Sequence, residues 1–221
     1  MRITLPSGTS AEIARCSSEP TMGLVVAPDI FGLRPLYDDL VARFAEEWQM
    51  VVCAVEPFPG HDLGPEVEPR FAAVTSLDDD AVLRDLLEGA DATGCDCVGL
   101  IGFCMGGMYA FKAARSDRFA AIASFYGMIR LPAAWAGPGQ REPLDILAAG
   151  HAGRVLAVLG EKDSYTPPAD IEALGGVGVA RVVYPEAEHG FAHDPHRPAH
   201  RADDAADAFA RAREWLSGLG G

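Results

Sequence analysis

Basic side chains are scarce in this 221-residue chain: 18 Lys and Arg face 32 Asp and Glu, a formal charge of −14. A field of that sign repels phosphate backbones and anionic lipid, which argues against nucleic acid or a membrane surface as a partner and leaves a small molecule. Long apolar runs are missing too. No stretch approaches the roughly 20 residues that a bilayer-spanning helix needs. Met1–Pro6 lacks the apolar segment of a secretory leader, so a cytoplasmic protein is expected. The cysteines, Cys16, Cys53, Cys95, Cys97 and Cys104, are odd in number and contain no C-x-x-C pair. That pattern argues against both a disulfide framework and a zinc ribbon, and free thiols suit a reducing compartment. No internal repeat is visible. What the chain does have is 49% hydrophobic residues, enough to bury one sizeable core. A single domain over residues 1–221 is expected, as a monomer or small homo-oligomer.

The apolar runs are of strand length and alternate with helical spacing. Arg2–Leu5 and Ala11–Ala14, separated by Pro6-Ser7-Gly8, read as a hairpin. Gly23–Ala27 and Met50–Ala54 are continuous apolar strands, and between them Leu36, Leu40, Val41, Phe44 and Ala45 recur at helical spacing through Arg34–Trp48. Pro57–Pro69 reads as a Pro/Gly-rich loop. A helix follows over about Leu77–Ala90, with Asp78, Asp79 and Asp80 in its first turn, where carboxylates suit the dipole and read as a solvated face. Beyond the strand that starts at Val98, further strands fall at Ala120–Phe125, Arg154–Leu159 and Arg181–Tyr184. Pro167–Leu174 reads as a short helix, Arg201–Leu216 as a final one, and Gly127–Gly150 as an irregular excursion bordering the site. Continuous apolar strands joined by helices indicate a mostly parallel sheet covered on both faces.

The most informative stretch is Val98–Gly107. Val98, Leu100 and Ile101 form a buried strand, and Gly102 and Gly106 bracket Cys104 as G-x-C-x-G before a helical pattern begins at Met105. This is the layout of a nucleophile elbow with sulfur in place of oxygen, in which the sharp strand-to-helix turn leaves no room for flanking side chains. The free N–H groups at the helix start can bind an oxyanion, and its positive end favours thiolate. Two later loops complete a chemical set. Asp163 follows the strand ending at Leu159, and His189 follows the strand ending at Tyr184. Loops leaving parallel strands cluster at the carboxyl edge of the sheet, where the elbow also opens. The chain order nucleophile, acid, His is that of α/β-hydrolase triads, and a thiol beside a base oriented by an acid is a sufficient device for nucleophilic catalysis.

With these residues in view, the chain resembles the dienelactone hydrolase (carboxymethylenebutenolidase) family of α/β hydrolases over nearly its whole length. The markers are Asp29-Ile30-Phe31-Gly32, Gly102-Phe103-Cys104-Met105-Gly106-Gly107, Asp163 and His189-Gly190-Phe191. The resemblance implies an α/β-hydrolase fold with Cys104 as nucleophile, His189 as base and Asp163 as its orienting acid. It further implies an oxyanion hole from the backbone N–H groups of Ile30 and Met105, a thioester acyl-enzyme, and no cofactor. Two positions depart from the family pattern. Asp29 stands where a Glu beside the thiol is typical, so the resemblance implies Asp29 as a shorter acid tuning the nucleophile. His193 stands where an arginine for the substrate carboxylate is typical, and Arg70 is a candidate for a second such arginine, against a reading as a solvated loop residue. A neutral imidazole replaces a bidentate guanidinium poorly, so a neutral or less acidic ester or lactone is expected.

Phe31, Phe103, Tyr126 and Phe191 fall near the predicted carboxyl edge and read equally as pocket lining or core. His193, His196 and His200 lack the spacing of a helical zinc site, so no metal is expected. Cys53 reads as a buried small hydrophobe. Two other functions keep the fold: a catalytically silent scaffold with Cys104 as a redox-sensing or ligand-binding thiol, and a thioesterase or acyltransferase using the same three residues.

Overall fold

Strands that are apolar on both faces must be covered on both faces, and that requirement organises this molecule. The structure is a computed structural model, and residues 1–218 are described. Eight strands form one sheet in the order β1-β2-β4-β3-β5-β6-β7-β8. The N-terminal hairpin, β1 (Arg2–Thr4) and β2 (Ser10–Arg15), is antiparallel, and β2 runs antiparallel to β4 (Met50–Val55). From β4 onward the sheet is parallel through β3 (Met22–Ala27), β5 (Val98–Phe103), β6 (Ala121–Phe125), β7 (Val155–Gly160) and β8 (Ala180–Tyr184). Every residue of β3, β4, β5, β6 and β7 is buried. The expected mostly parallel α/β-hydrolase sheet is therefore present.

Helices α1 (Pro35–Trp48) and α7 (Ala202–Gly218) cover one face, where Phe44, Trp48, Ala208 and Leu216 join a core with Leu24, Val52 and Phe125. The opposite face carries α3 (Asp79–Thr93), α4 (Met105–Ala113) and α6 (Pro168–Gly176), which pack Leu86, Phe111 and Leu174 against Val25, Leu100 and Ala157. Cys53 is fully buried there, as expected of a small hydrophobe. No helix among the described residues is long and apolar enough to cross a membrane.

Three departures from the sequence reading have physical causes. A helix, α2 (Val67–Val74), begins inside the stretch expected to be loop. Pro69 lies in its first turn, where the missing N–H has no helical partner to lose, so proline there does not stop a helix. Second, Asp79 does not belong to a solvated face. It is buried and accepts from Lys112 Nζ at 2.8 Å and from the Arg141 N–H at 2.7 Å, while Asp78 caps α3 through the N–H groups of Asp80 and Ala81. Burial lowers the Lys112 ammonium pKa even though Asp79 acts to raise it. Third, the excursion after β6 holds a 3-10 turn at Ala133–Trp135 and a short helix α5 (Pro143–Ile146). Its Gln140 donates to the carbonyls of Val74 and Leu77, and Lys112 donates to Gln140 Oε1, so the segment is tied down through polar bonds that have no periodicity.

Candidate active site

The parallel strands deliver the chemistry-bearing residues to one edge: Asp29 follows β3, Cys104 follows β5, Tyr126 follows β6, Asp163 follows β7 and His189 follows β8. Cys104 sits on the turn between β5 and α4 with φ 55° and ψ −116°, a backbone conformation strained for any side chain. Its N–H donates to the Phe125 carbonyl at 3.0 Å, and its own carbonyl accepts from Met108. Packing explains the two glycines around it. A Cβ at Gly102 would fall 2.2 Å from the Gly106 carbonyl oxygen, and one at Gly106 would fall 2.0 Å from the Ala27 carbonyl oxygen. Only glycine lets the helix start so close to the loop after β3.

That loop is held from several directions. Met105 opens α4 as its first residue, and Ile30 is buried in the neighbouring loop, so both residues expected to form an oxyanion hole lie beside the elbow in one small apolar cluster. Arg70 projects from α2 rather than from a solvated loop, and its guanidinium donates to the carbonyls of Ile30 at 3.1 Å and Gly64 at 2.7 Å. Glu56 accepts from the N–H groups of Leu33 and Phe58, lying beneath Gly32, whose φ is 68°. Phe31 is half-buried with the Arg34 and Arg70 guanidinium groups over its ring at 5.5 and 5.8 Å.

Asp163 and His189 meet as the sequence suggested. The buried Asp163 Oδ2 accepts from His189 Nδ1 at 2.8 Å, while Oδ1 accepts from the Tyr165 N–H at 2.8 Å. The second ring nitrogen, Nε2, is buried without a hydrogen-bond partner among the described residues. Burial opposes a charge on His189, but the charge of Cys104, then the bond to Asp163, outweighs it and pushes the imidazole pKa up to about 10. The sulfur is thus the main electrostatic neighbour of the ring.

Asp29 and His193 are placed differently from expectation. Asp29 does not turn to the thiol: its carboxylate receives Arg34 in a bidentate pair at 2.7 and 2.9 Å, the Phe31 N–H at 3.0 Å, and His193 Nε2–H at 2.7 Å. Burial acts to raise the Asp29 carboxyl pKa, and the bonds from His193 and Arg34 hold it well below the usual range. His193 is fully enclosed, so it offers nothing to a substrate. Its Nδ1 accepts from the Tyr126 hydroxyl at 2.5 Å, and burial lowers its pKa despite Asp29. A neutral ring fits this site, because Arg34 already balances the Asp29 charge. Phe103 and Phe191 are core rather than lining: Phe103 stacks on His193 at 4.9 Å, and Phe191 packs on Tyr126 and Tyr184. Tyr126 is buried too, with φ 40°, and its ring meets His189 edge-on at 5.3 Å.

Sequence pattern alone does not single out Arg34, Tyr37, Glu56 or Tyr165. Arg34 and Tyr37 meet Asp29 from five and eight positions away, Tyr37 by accepting the Asp29 N–H at 2.7 Å, and Glu56 meets Leu33 from 23 away, spacings that follow no helical or strand period. Tyr165 did carry a signal, lying two residues beyond the acid in the same loop.

Comparison with known proteins bears on the family and the fold. The model of the dienelactone hydrolase family matches residues 10–219. A Synechocystis sp. protein, provisionally assigned as a carboxymethylenebutenolidase, is 30% identical over 96% of this chain and 94% of its own length. Carboxymethylenebutenolidase 2 of Cupriavidus pinatubonensis is 27% identical over 90% of this chain and 84% of its own. A solved Klebsiella pneumoniae structure, provisionally assigned as a dienelactone hydrolase, superposes with a TM-score of 0.88 at 24% identity, covering 98% of this chain and 97% of that one, and shows the same fold. By the span of the family match and the likeness to these relatives, the chain belongs to the dienelactone hydrolase family.

Proposed function

We propose that the protein hydrolyses a carboxylic ester or lactone through a thioester on Cys104. The observation that carries this reading is the Asp163–His189 pair at 2.8 Å with Nε2 left without a bond; against the burial of the ring, the charge of Cys104 and the bond to Asp163 favour its protonated form. His189 takes the Cys104 thiol proton, which gives the reacting pair of thiolate and imidazolium. Sγ attacks the carbonyl carbon, and the N–H groups of Ile30 and Met105 receive the oxyanion. As the carbonyl re-forms, the C–O bond breaks and Nε2–H gives its proton to the departing alkoxide. Acylation removes the negative charge from sulfur and with it the main cause of the high His189 pKa. The neutral ring then takes a proton from water, hydroxide attacks the thioester, and the thiolate and imidazolium return. Acid in one step and base in the next follow from one change of charge.

The substrate is a neutral or less acidic ester or lactone. Arg34 is committed to Asp29, Arg70 to two backbone carbonyls, and His193 is enclosed. Arg197 is the cation to weigh against this: it has no ion-pair partner among the described residues and lies against Gly190, so a carboxylate-bearing dienelactone is the substrate to compare. The experiment is turnover of p-nitrophenyl acetate, a neutral lactone and a dienelactone by wild type, Cys104→Ala and His189→Ala. Turnover should fall by about two or more decades in both variants, with the neutral substrates preferred. Activity surviving Cys104→Ala would overturn the mechanism in favour of a silent scaffold at this site, and dienelactone turned over as fast as any neutral ester would overturn the substrate class. Faster transfer of the acyl group to an added alcohol or thiol than to water would make the protein an acyltransferase.

A further inference from the structure

Three large apolar side chains are exposed among the described residues: Met1, Val183 and Tyr165. Met1 is the chain terminus, and Val183 lies on the sheet-edge strand β8. Tyr165 is in neither situation. The residue is 46% exposed, yet the centre of its ring lies 4.7 Å from the centre of the His189 ring, tilted by 54°. The loop that carries it is fixed: the Tyr165 N–H donates to Asp163 Oδ1, the Thr166 N–H donates to the Asp163 carbonyl at 3.2 Å, and Pro167 follows. One carboxylate thereby orients both the imidazole and the aromatic ring beside it.

We propose that Tyr165 is a specificity-determining residue that receives the alcohol part of the substrate and favours a flat, uncharged leaving group. This rests on the acyl-transfer reading above. For Nε2–H to protonate the departing oxygen, that oxygen must lie at the imidazole, so the group attached to it passes beside the His189 ring, where the exposed face of Tyr165 stands. Aromatic surface attracts apolar and planar groups through burial and offset stacking. The exposed charges flanking the two loops point the same way. Glu161 and Glu188 are acidic and Lys162 is engaged by Glu186, so the two loops themselves offer an anionic leaving group no free cation; the cation that bears the other way is Arg197, against Gly190.

The test uses phenyl acetate and methyl acetate, which leave the same acetyl group on the enzyme and differ only in the part assigned to Tyr165. Because deacylation is common to both, kcat/KM isolates the step in which the leaving group is bound. Tyr165→Ala should lower kcat/KM for phenyl acetate by about tenfold while changing that for methyl acetate by less than about twofold, and Tyr165→Phe should retain the wild-type preference. The decay rate of the acetyl-enzyme should be unchanged in both variants. Equal losses on the two esters would make Tyr165 a support for His189 alone and overturn the assignment, as would an unaltered phenyl acetate rate. Wild-type protein that carries no acetyl group on Cys104 by mass spectrometry would bring down the cysteine mechanism as well, a result distinct from either of these.

Discussion

Two Asp–His pairs stand side by side in this molecule with nearly identical bonds, 2.8 Å for Asp163–His189 and 2.7 Å for Asp29–His193. They differ in what the second ring nitrogen finds. In His193 it accepts a hydrogen bond from Tyr126, and Arg34 neutralises the carboxylate, so every polar group is satisfied and the ring stays neutral. In His189 it has no such bond, and the sulfur of Cys104 draws the ring toward the charged form. A buried pair with all its valences met is a fastener, whereas one with a nitrogen left open beside a thiol is equipped for proton transfer. Tyr126 joins the two, with its hydroxyl on His193 and its ring edge against His189.

Conservative acid-to-amide changes should separate the pairs. Asp163→Asn, which leaves His189 with the wrong tautomer, should cost about three to four decades in kcat/KM and about 1–3 kcal/mol of stability. Asp29→Asn should reverse the weighting: it strands Arg34 and His193, costing about 3–5 kcal/mol in urea denaturation, while the remaining folded protein keeps most of its turnover. If the two variants shifted activity and stability alike, the division between fastener and reactive pair would fail.

A subtler contrast lies in the pH dependence of stability. Burial holds the His193 pKa below its unfolded value of about 6.5, so the unfolded chain binds a proton that the folded chain refuses. Stability is lost as pH falls through that unfolded value. His189 has the opposite sign. Its folded pKa of about 10 lies above the unfolded value, so its contribution is fully present below about 6.5 and is lost as pH rises through about 10. Denaturation midpoints of wild type, His193→Gln and His189→Gln across this range provide the check. His193→Gln should flatten the acid side and His189→Gln the alkaline side; the reverse assignment would contradict the account.

Much of the proposed reactive pair is legible in sequence, and almost none of the fastener is. Cys104 announces itself because Gly102 and Gly106 are forced by backbone contacts within and beside a local turn, and Asp163 and His189 each follow an apolar strand that a parallel sheet must deliver to the same edge. The core strands are legible for the same reason, since continuous apolar runs have one sensible destination. His193 gives no such clue. Its partner Asp29 lies 164 positions away, and its other partner, Tyr126, is recognisable only once β6 is placed. The same logic hid the Asp79–Lys112 pair, in which a residue from a run of acids meets a lysine of another helix. Phe103 and Phe191 lie close to the reactive residues in sequence but point into the core, a distinction that depends on side-chain direction rather than position.

The central claim is that His189, and not His193, serves Cys104. Its most direct test is mass spectrometry of protein quenched within the first turnovers on p-nitrophenyl acetate, followed by mapping of the acetyl group. The account predicts one acetyl group on the peptide containing Cys104 in wild type and in folded His193→Gln protein, and a greatly slowed appearance in His189→Ala. Acetylation of Cys104 that proceeds equally fast without His189, or that is lost with His193 alone, would contradict it.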